Sequence, residues 1–273
     1  MADGHAEVLV VSDFSLAIEG EEKLAHLAFT LHEGERVALI GASGCGKSLT
    51  AGALLGLMPP GAQWHGSLRL NGQEVAGLHP ARRHASQRVA AVFQDSASAL
   101  NPLVTVGKQL MMVPADLPGD AAARAASLLR DVGFDDPAAI LPRYPAQLSG
   151  GQRQRVCIAL ALACRHRLVV ADEPTTALDL ATQQHVVEAL SRLSAQPSPP
   201  ALLFITHDIA LAAHLCQRAL VMVQGRIVEQ GTFEQLTRHP QHPYTRELVE
   251  AARRAGEAIA PPPPAASPVR ALG

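Results

Sequence analysis

The chain has 273 residues, an apolar share of 48% and a formal net charge of −2, enough length and hydrophobicity for one large domain or two small ones. That near-neutral balance gives no reason to expect a nucleic-acid partner, since a binding face would still need a basic patch. Cys45, Cys157, Cys164 and Cys216 are scattered without a C-x-x-C pair, which argues against a disulfide framework or cysteine metal site and for a reduced compartment.

No secretory signal opens the sequence and no uninterrupted apolar run reaches a membrane-spanning length, so the polypeptide is expected not to cross a membrane itself. In chain order, Val8 to Val11, Ser15 to Ile18 and Leu27 to Leu31 read as short strands. They could form a small antiparallel sheet. The Glu33-Gly34-Glu35 turn then feeds an apolar run, Val37 to Ile40, with the character of a buried parallel strand. Immediately after it stands GASGCGKS, Gly41 to Ser48, which matches the phosphate-cradling G-x-x-x-x-G-K-[ST] loop. Lys47 to Met58 follows as a helix stopped by Pro59-Pro60. Strand, glycine loop and helix form the context the motif requires. Its glycines let backbone N–H groups approach phosphate oxygens, and the helix N-terminus favours an anion. Gly41, Ala42, Ser43, Gly44, Cys45, Gly46, Lys47, Ser48 and Leu49 are the expected nucleotide-binding run. Lys47 would reach the β- and γ-phosphates, and the Ser48 hydroxyl would ligate Mg²⁺.

Further on, Gly66 to Asn71 alternates like a strand and stops at Asn71-Gly72, a hairpin signal. Val89 to Phe93 is another strand, ending at Gln94. From Asp95 to Gln147 alanine-rich helical segments such as Ala121 to Val132 dominate, broken by Pro102, Pro114, Pro118, Pro137, Pro142 and Pro145. This reads as a helical insertion in an α/β chain. Ser149-Gly150-Gly151 opens a long helix, approximately Gln152 to Cys164. Leu168 to Ala171 is a buried strand ending in Asp172-Glu173, and Ala201 to Thr206 another ending in His207-Asp208. Val221 to Glu229 makes a hairpin around Gln224-Gly225. A proline-rich tail, residues 251–273, is expected to be disordered.

Ligands of parallel α/β sheets gather beyond the carboxyl ends of the strands, so each of those ends is a candidate for chemistry. Asp172 is placed to hold Mg²⁺, directly or through water. Glu173 could polarise an attacking water, and His207 could contact a γ-phosphate. Phosphoryl transfer asks mainly for positioned charge and an oriented nucleophile.

Taken together, GASGCGKS, Gln94, LSGGQ (Leu148 to Gln152), LVVADEP (Leu168 to Pro174), ALD (Ala177 to Asp179) and His207 resemble an ABC-type ATPase over about Val8 to Glu250. The resemblance implies a P-loop NTPase core with an antiparallel β subdomain and a helical subdomain inserted at about 95–164. It also implies ATP with Mg²⁺ as cofactors. Carried over by position, it makes Ser48, Gln94 and Asp172 the metal set, and Glu173, with Gln94 and His207, the catalytic set. Ser149, Gly150, Gly151, Gln152 and Asp179 would serve nucleotide held by a partner chain, in a head-to-tail dimer.

SALNPLVTVGKQL (Ser98 to Leu110) and HPQHPYTREL (His239 to Leu248) are similar to the peptide and nickel importer branch, and GKSLTAGALLGLMPPG (Gly46 to Gly61) to its nickel-type member. In that branch His239 and His242 belong to a docking segment rather than a metal site. The implied partners are a second ATPase subunit (identical or not), two permease subunits and a periplasmic or surface solute-binding protein. The implied place is the cytoplasmic face of the inner membrane. A subunit of a phosphonate-degrading complex and an exporter subunit are the alternatives. Two departures stand out. Ile18 lies near where many members carry an adenine-stacking aromatic residue, and Cys45 replaces a small residue of the P-loop, either as a filler or as a modifiable thiol.

Overall fold

The structure, a computed structural model, describes residues 6–113, 120–176, 178–192, 198–256 and 259. Ala177, Pro114, Pro118 and most of the expected proline-rich tail lie outside them. Among the described residues the strands are β1 (Glu7–Ile18), β2 (Glu21–His32), β3 (Arg36–Ile40), β4 (Gln63–Leu70), β5 (Gln73–Glu74), β6 (Ala90–Val92), β7 (Leu168–Asp172), β8 (Ala201–Thr206), β9 (Arg218–Val223) and β10 (Arg226–Thr232). They form two sheets. One is antiparallel, in the order β2-β1-β4-β5. The other runs β10-β9-β3-β8-β7-β6, parallel except where β10 returns beside β9.

Side-chain alternation divides the core. Ala38, Ile40, Val169, Ala171, Leu202 and Phe204 face one way, into a cluster shared with the helical insertion. Val37, Leu39, Leu168, Val170, Leu203 and Ile205 face the other way, against the antiparallel sheet. A strand buried on both faces has no room for polar alternation, which is why these segments read as continuous apolar runs.

The helices are α1 (Lys47–Leu55), α2 (Ser96–Ala99), α3 (Val106–Met111), α4 (Ala121–Asp131), α5 (Pro137–Ile140), α6 (Gly150–Ala163), α7 (Leu180–Ser191), α8 (Ile209–Leu215), α9 (Phe233–Arg238) and α10 (Pro243–Arg254). α2 to α6 run from Ser96 to Ala163, within the stretch where a helical insertion is expected.

Several boundaries differ from the sequence expectation, each for a local reason. The two expected pieces of β1 are one strand, because Asp13 takes up a register shift between Ser12 and Ser15 with φ of 49°. β2 begins six residues before Leu27, after the Glu19-Gly20 turn, where φ is 53° and 80°. α1 stops before Met58, because Gly56 (φ 78°) closes the helix and its N–H donates to Ala53 O. Arg83 supports that end, donating from Nη1 to Leu54 O at 2.5 Å and from Nε to Leu78 O at 3.1 Å. α10 continues past the expected boundary at Glu250, with Ala252 buried against the main core.

Candidate functional site

The register of the parallel sheet brings three carboxyl ends level. Ile40 of β3 lies beside Thr206 of β8, and Ile205 beside Asp172 of β7. The P-loop leaves β3, Asp172-Glu173 leave β7, and His207 leaves β8, so all three emerge at one edge. Gly46 ends the loop at φ 110°, a region closed to side chains, and a Cβ there would stand 2.8 Å from Leu24. The loop is braced by the turn between β9 and β10. Gly225 N–H donates to Cys45 O at 2.8 Å, while Gly225 O accepts from Ala25 N–H at 2.9 Å.

Lys47 is 4% exposed and folded back into the loop, its Nζ donating to Gly41 O at 2.8 Å and Ala42 O at 3.0 Å. Glu173 Oε1 lies 3.7 Å from Lys47 Nζ and 3.7 Å from His207 Nδ1. The other oxygen of Glu173 accepts from Thr176 Oγ1 at 3.0 Å. Glu173 has φ of 46° and its N–H donates to Ile205 O at 3.0 Å. For a residue with a side chain this conformation costs about 1–2 kcal/mol, and such strain gathers at functional sites.

Asp172 is the second acid. Burial pushes its carboxyl above the ordinary value, a hydrogen bond from Ser48 opposes the shift, and the charge of Glu173 adds to it. Its buried Oδ1 has no hydrogen-bond partner. A buried carboxylate oxygen beside a serine hydroxyl is a hard-oxygen donor set with an unused acceptor, which suits Mg²⁺. Gln94 lies just beyond the end of β6, exposed, and the carbonyl of the preceding Phe93 accepts from Gln154 Nε2 of α6 at 3.0 Å. Cys45 is buried among apolar side chains, and burial pushes its thiol up, an effect that nearby Lys47 opposes. That environment supports the filler reading, because a reactive cysteine needs thiolate character. Ile18 is half-buried against the same cluster.

The LSGGQ segment stands apart from this group. Ser149 caps α6: its Oγ accepts from Gln152 N–H at 3.2 Å, and Gln152 Oε1 accepts from Ser149 N–H at 3.1 Å. This reciprocal box starts α6 two residues before Gln152. Ser149 and Gly150 are exposed, with open space where a Gly150 Cβ would lie. The cap hydrogen bonds join Ser149 and Gln152 to each other and not to the P-loop.

Gly151 has a different task. A Cβ there would stand 2.0 Å from Cγ2 of Thr182 on α7. Thr182 is in turn held by Asp179, whose Oδ1 accepts from its N–H at 2.9 Å and Oδ2 from its hydroxyl at 2.8 Å. Those bonds hold the exposed Asp179 carboxyl below its usual range, against a small desolvation effect. Sequence reasoning missed Thr182 and Thr176. Thr182 had a signal, three residues after an aspartate that opens a helix.

Gly151→Ala is expected to force α6 and α7 apart and cost roughly 1–3 kcal/mol by overpacking. Thr182→Ser in the same chain, lacking the obstructing methyl, should recover most of the loss. Denaturant midpoints of the wild type, the single and the double variant check this.

A family model described as ABC transporter matches residues 24–176. The chain is 41% identical over 232 residues to the dipeptide transport ATP-binding protein DppD of Escherichia coli (strain K12), covering 82% of this chain and 71% of that protein. It is 42% identical over 257 residues to the peptidoglycan transport ATP-binding protein YejF of Agrobacterium fabrum, covering 89% of this chain but only 47% of that longer protein. Among solved structures, a dimeric ATP-binding cassette in a post-hydrolysis state with ADP and Pi superposes with a TM-score of 0.69. Its identity is 25%, over 82% of this chain and 98% of that one.

Proposed function

This chain belongs to the ABC transporter family, and on that premise we propose that it is the ATP-hydrolysing subunit of an import complex for peptides or peptide-like cargo. The observation that carries the ATPase site is the meeting of Lys47, Ser48, Asp172 and Glu173 at one edge of the parallel sheet. When ATP binds, Lys47 exchanges the Gly41 and Ala42 carbonyls for phosphate oxygens, and the loop N–H groups cradle the β-phosphate. That exchange frees Glu173 from the lysine. Glu173 then accepts a proton from water as the water oxygen bonds to the γ-phosphorus and the bond to the β-phosphate bridging oxygen breaks. ADP and phosphate result. His207 and Gln94 orient the γ-phosphate and the water. Ser48 and Asp172 would hold Mg²⁺, which neutralises charge on the β- and γ-phosphates when bound.

The exposed signature helix end serves the partner's nucleotide, with Asp179 and the 80% exposed Leu180 at the same contact. The other proposed partners are a second ATPase chain, two permease subunits and a solute-binding protein. No helix among the described residues is long and apolar enough to cross a membrane, so attachment to the inner membrane would run through the permeases. The cargo proposal rests on the names of the relatives, which favour peptides over nickel.

Reconstitution with the membrane subunits and binding protein is the test. ATP hydrolysis should rise with a loaded peptide-binding protein and not with Ni²⁺. Stimulation by Ni²⁺ alone would move the cargo to the nickel type.

A further inference from the structure

The turn that carries Gln94 is held from behind by α6. Gln94 and Asp95 are two exposed residues between Phe93, just past the end of β6, and the buried Ser96, which opens α2. On each side of that pair a backbone carbonyl accepts from α6. Gln154 Nε2 donates to Phe93 O at 3.0 Å, and Cys157 Sγ donates to Ser96 O at 3.7 Å. Gln154 and Cys157 stand three residues apart, so they share one face of the helix. Both are buried, with 2% and 4% of their surface exposed. An unbonded amide in that place would cost free energy, and the bond to Phe93 O offsets the cost. The thiol is the weaker donor of the two. The amide of Gln154 is therefore the main fixing point on the strand side of Gln94. Val156, Ile158 and Ala159 in turn hold α6 in the main core.

We propose that Gln154 is a positioning residue of the ATPase site: its amide fixes the Phe93 carbonyl, and with it the place from which Gln94 reaches the γ-phosphate and the attacking water. This rests on the ATPase reading of the site. α6 also begins at the exposed Ser149 and Gly150, so one helix ties the end assigned to the partner's nucleotide to the Gln94 turn of its own chain. A turn released from that anchor must be ordered again in each turnover, and the cost falls on the chemical step.

The test is a double-mutant cycle on the reconstituted complex, reading kcat and KM for ATP in the wild type, Gln154→Met, Gln94→Ala and the double variant. Methionine keeps the length and unbranched shape of glutamine and lacks the donor. ATP affinity of each isolated full chain is measured beside it. Gln154→Met is expected to lower kcat about three- to tenfold, the size of one hydrogen bond, with KM and the isolated chain's affinity at the wild-type values. In the Gln94→Ala background the same substitution should change kcat no further, because the two residues act in series. A Gln154→Met complex with wild-type kcat, or the same fold loss in both backgrounds, overturns the positioning role. So does an isolated Gln154→Met chain that no longer binds ATP, or one that fails to assemble, since either makes Gln154 a general support of the fold. Wild-type turnover in Gln94→Ala removes Gln94 from the site and this inference with it. A wild-type complex that hydrolyses no ATP overturns the ATPase reading itself.

Discussion

Glu173→Gln is expected to leave ATP binding intact and to reduce turnover of the assembled complex by roughly 10²–10⁴-fold, the contribution of a positioned general base. The substitution keeps the shape and the acceptor that Thr176 Oγ1 contacts at 3.0 Å. It removes the capacity to take up a proton. It also removes a negative charge 3.7 Å from Lys47 Nζ, so the lysine is released more easily to the phosphates and affinity should hold or rise. Because the N–H of residue 173 still donates to Ile205 O, the left-handed turn persists and the amide occupies the place of the carboxylate. The closed, ATP-filled assembly should accumulate. Rapid-quench measurement of phosphate release, beside nucleotide titration, separates the two effects. Wild-type turnover in the variant complex would remove Glu173 from the role of base.

Lys47→Ala acts at the other step. The ammonium is buried and makes two hydrogen bonds to loop carbonyls. With ATP bound it would meet phosphate oxygens instead. A hydrogen bond to a charged group contributes about 1.5–3 kcal/mol, which is roughly a 10- to 100-fold loss of ATP affinity. The orphaned Gly41 and Ala42 carbonyls should also lower the midpoint of the nucleotide-free chain, though water can reach exposed Ala42. Equilibrium titration is the check, and retention of wild-type affinity would place the phosphates elsewhere.

The parts of this site that were legible in the sequence are those whose chemistry is local. GASGCGKS carries its strand, loop and helix within one short stretch, and Asp172 and His207 could be found because each ends an apolar run. The sheet that brings those ends together is non-local, and its register came only with the structure. What could not be read is where distant segments touch. The start of α10 is held only because Glu229 of the β9–β10 hairpin accepts from Gln241 and His242 N–H. Thr182 matters only because α6 and α7 approach until a Gly151 Cβ has no space. Element ends were misjudged where an unexpected residue took up positive φ, as Asp13 does inside β1. The end of α1 was misjudged because Gly56 acts before Pro59 can.

The head-to-tail proposal is tested most directly by Ser149→Arg, measured twice. Ser149 is exposed and its side chain is engaged in its own helix cap, so the isolated variant chain is expected to bind ATP as the wild type does. In the full complex the same variant should hydrolyse almost none, because the arginine stem fills the space that the signature helix needs to close over the partner's γ-phosphate. Normal binding with lost hydrolysis is the predicted pair of results. Lost binding in the isolated chain would mean that Ser149 serves its own P-loop, and full hydrolysis in the complex would mean that the signature helix does not meet nucleotide at all.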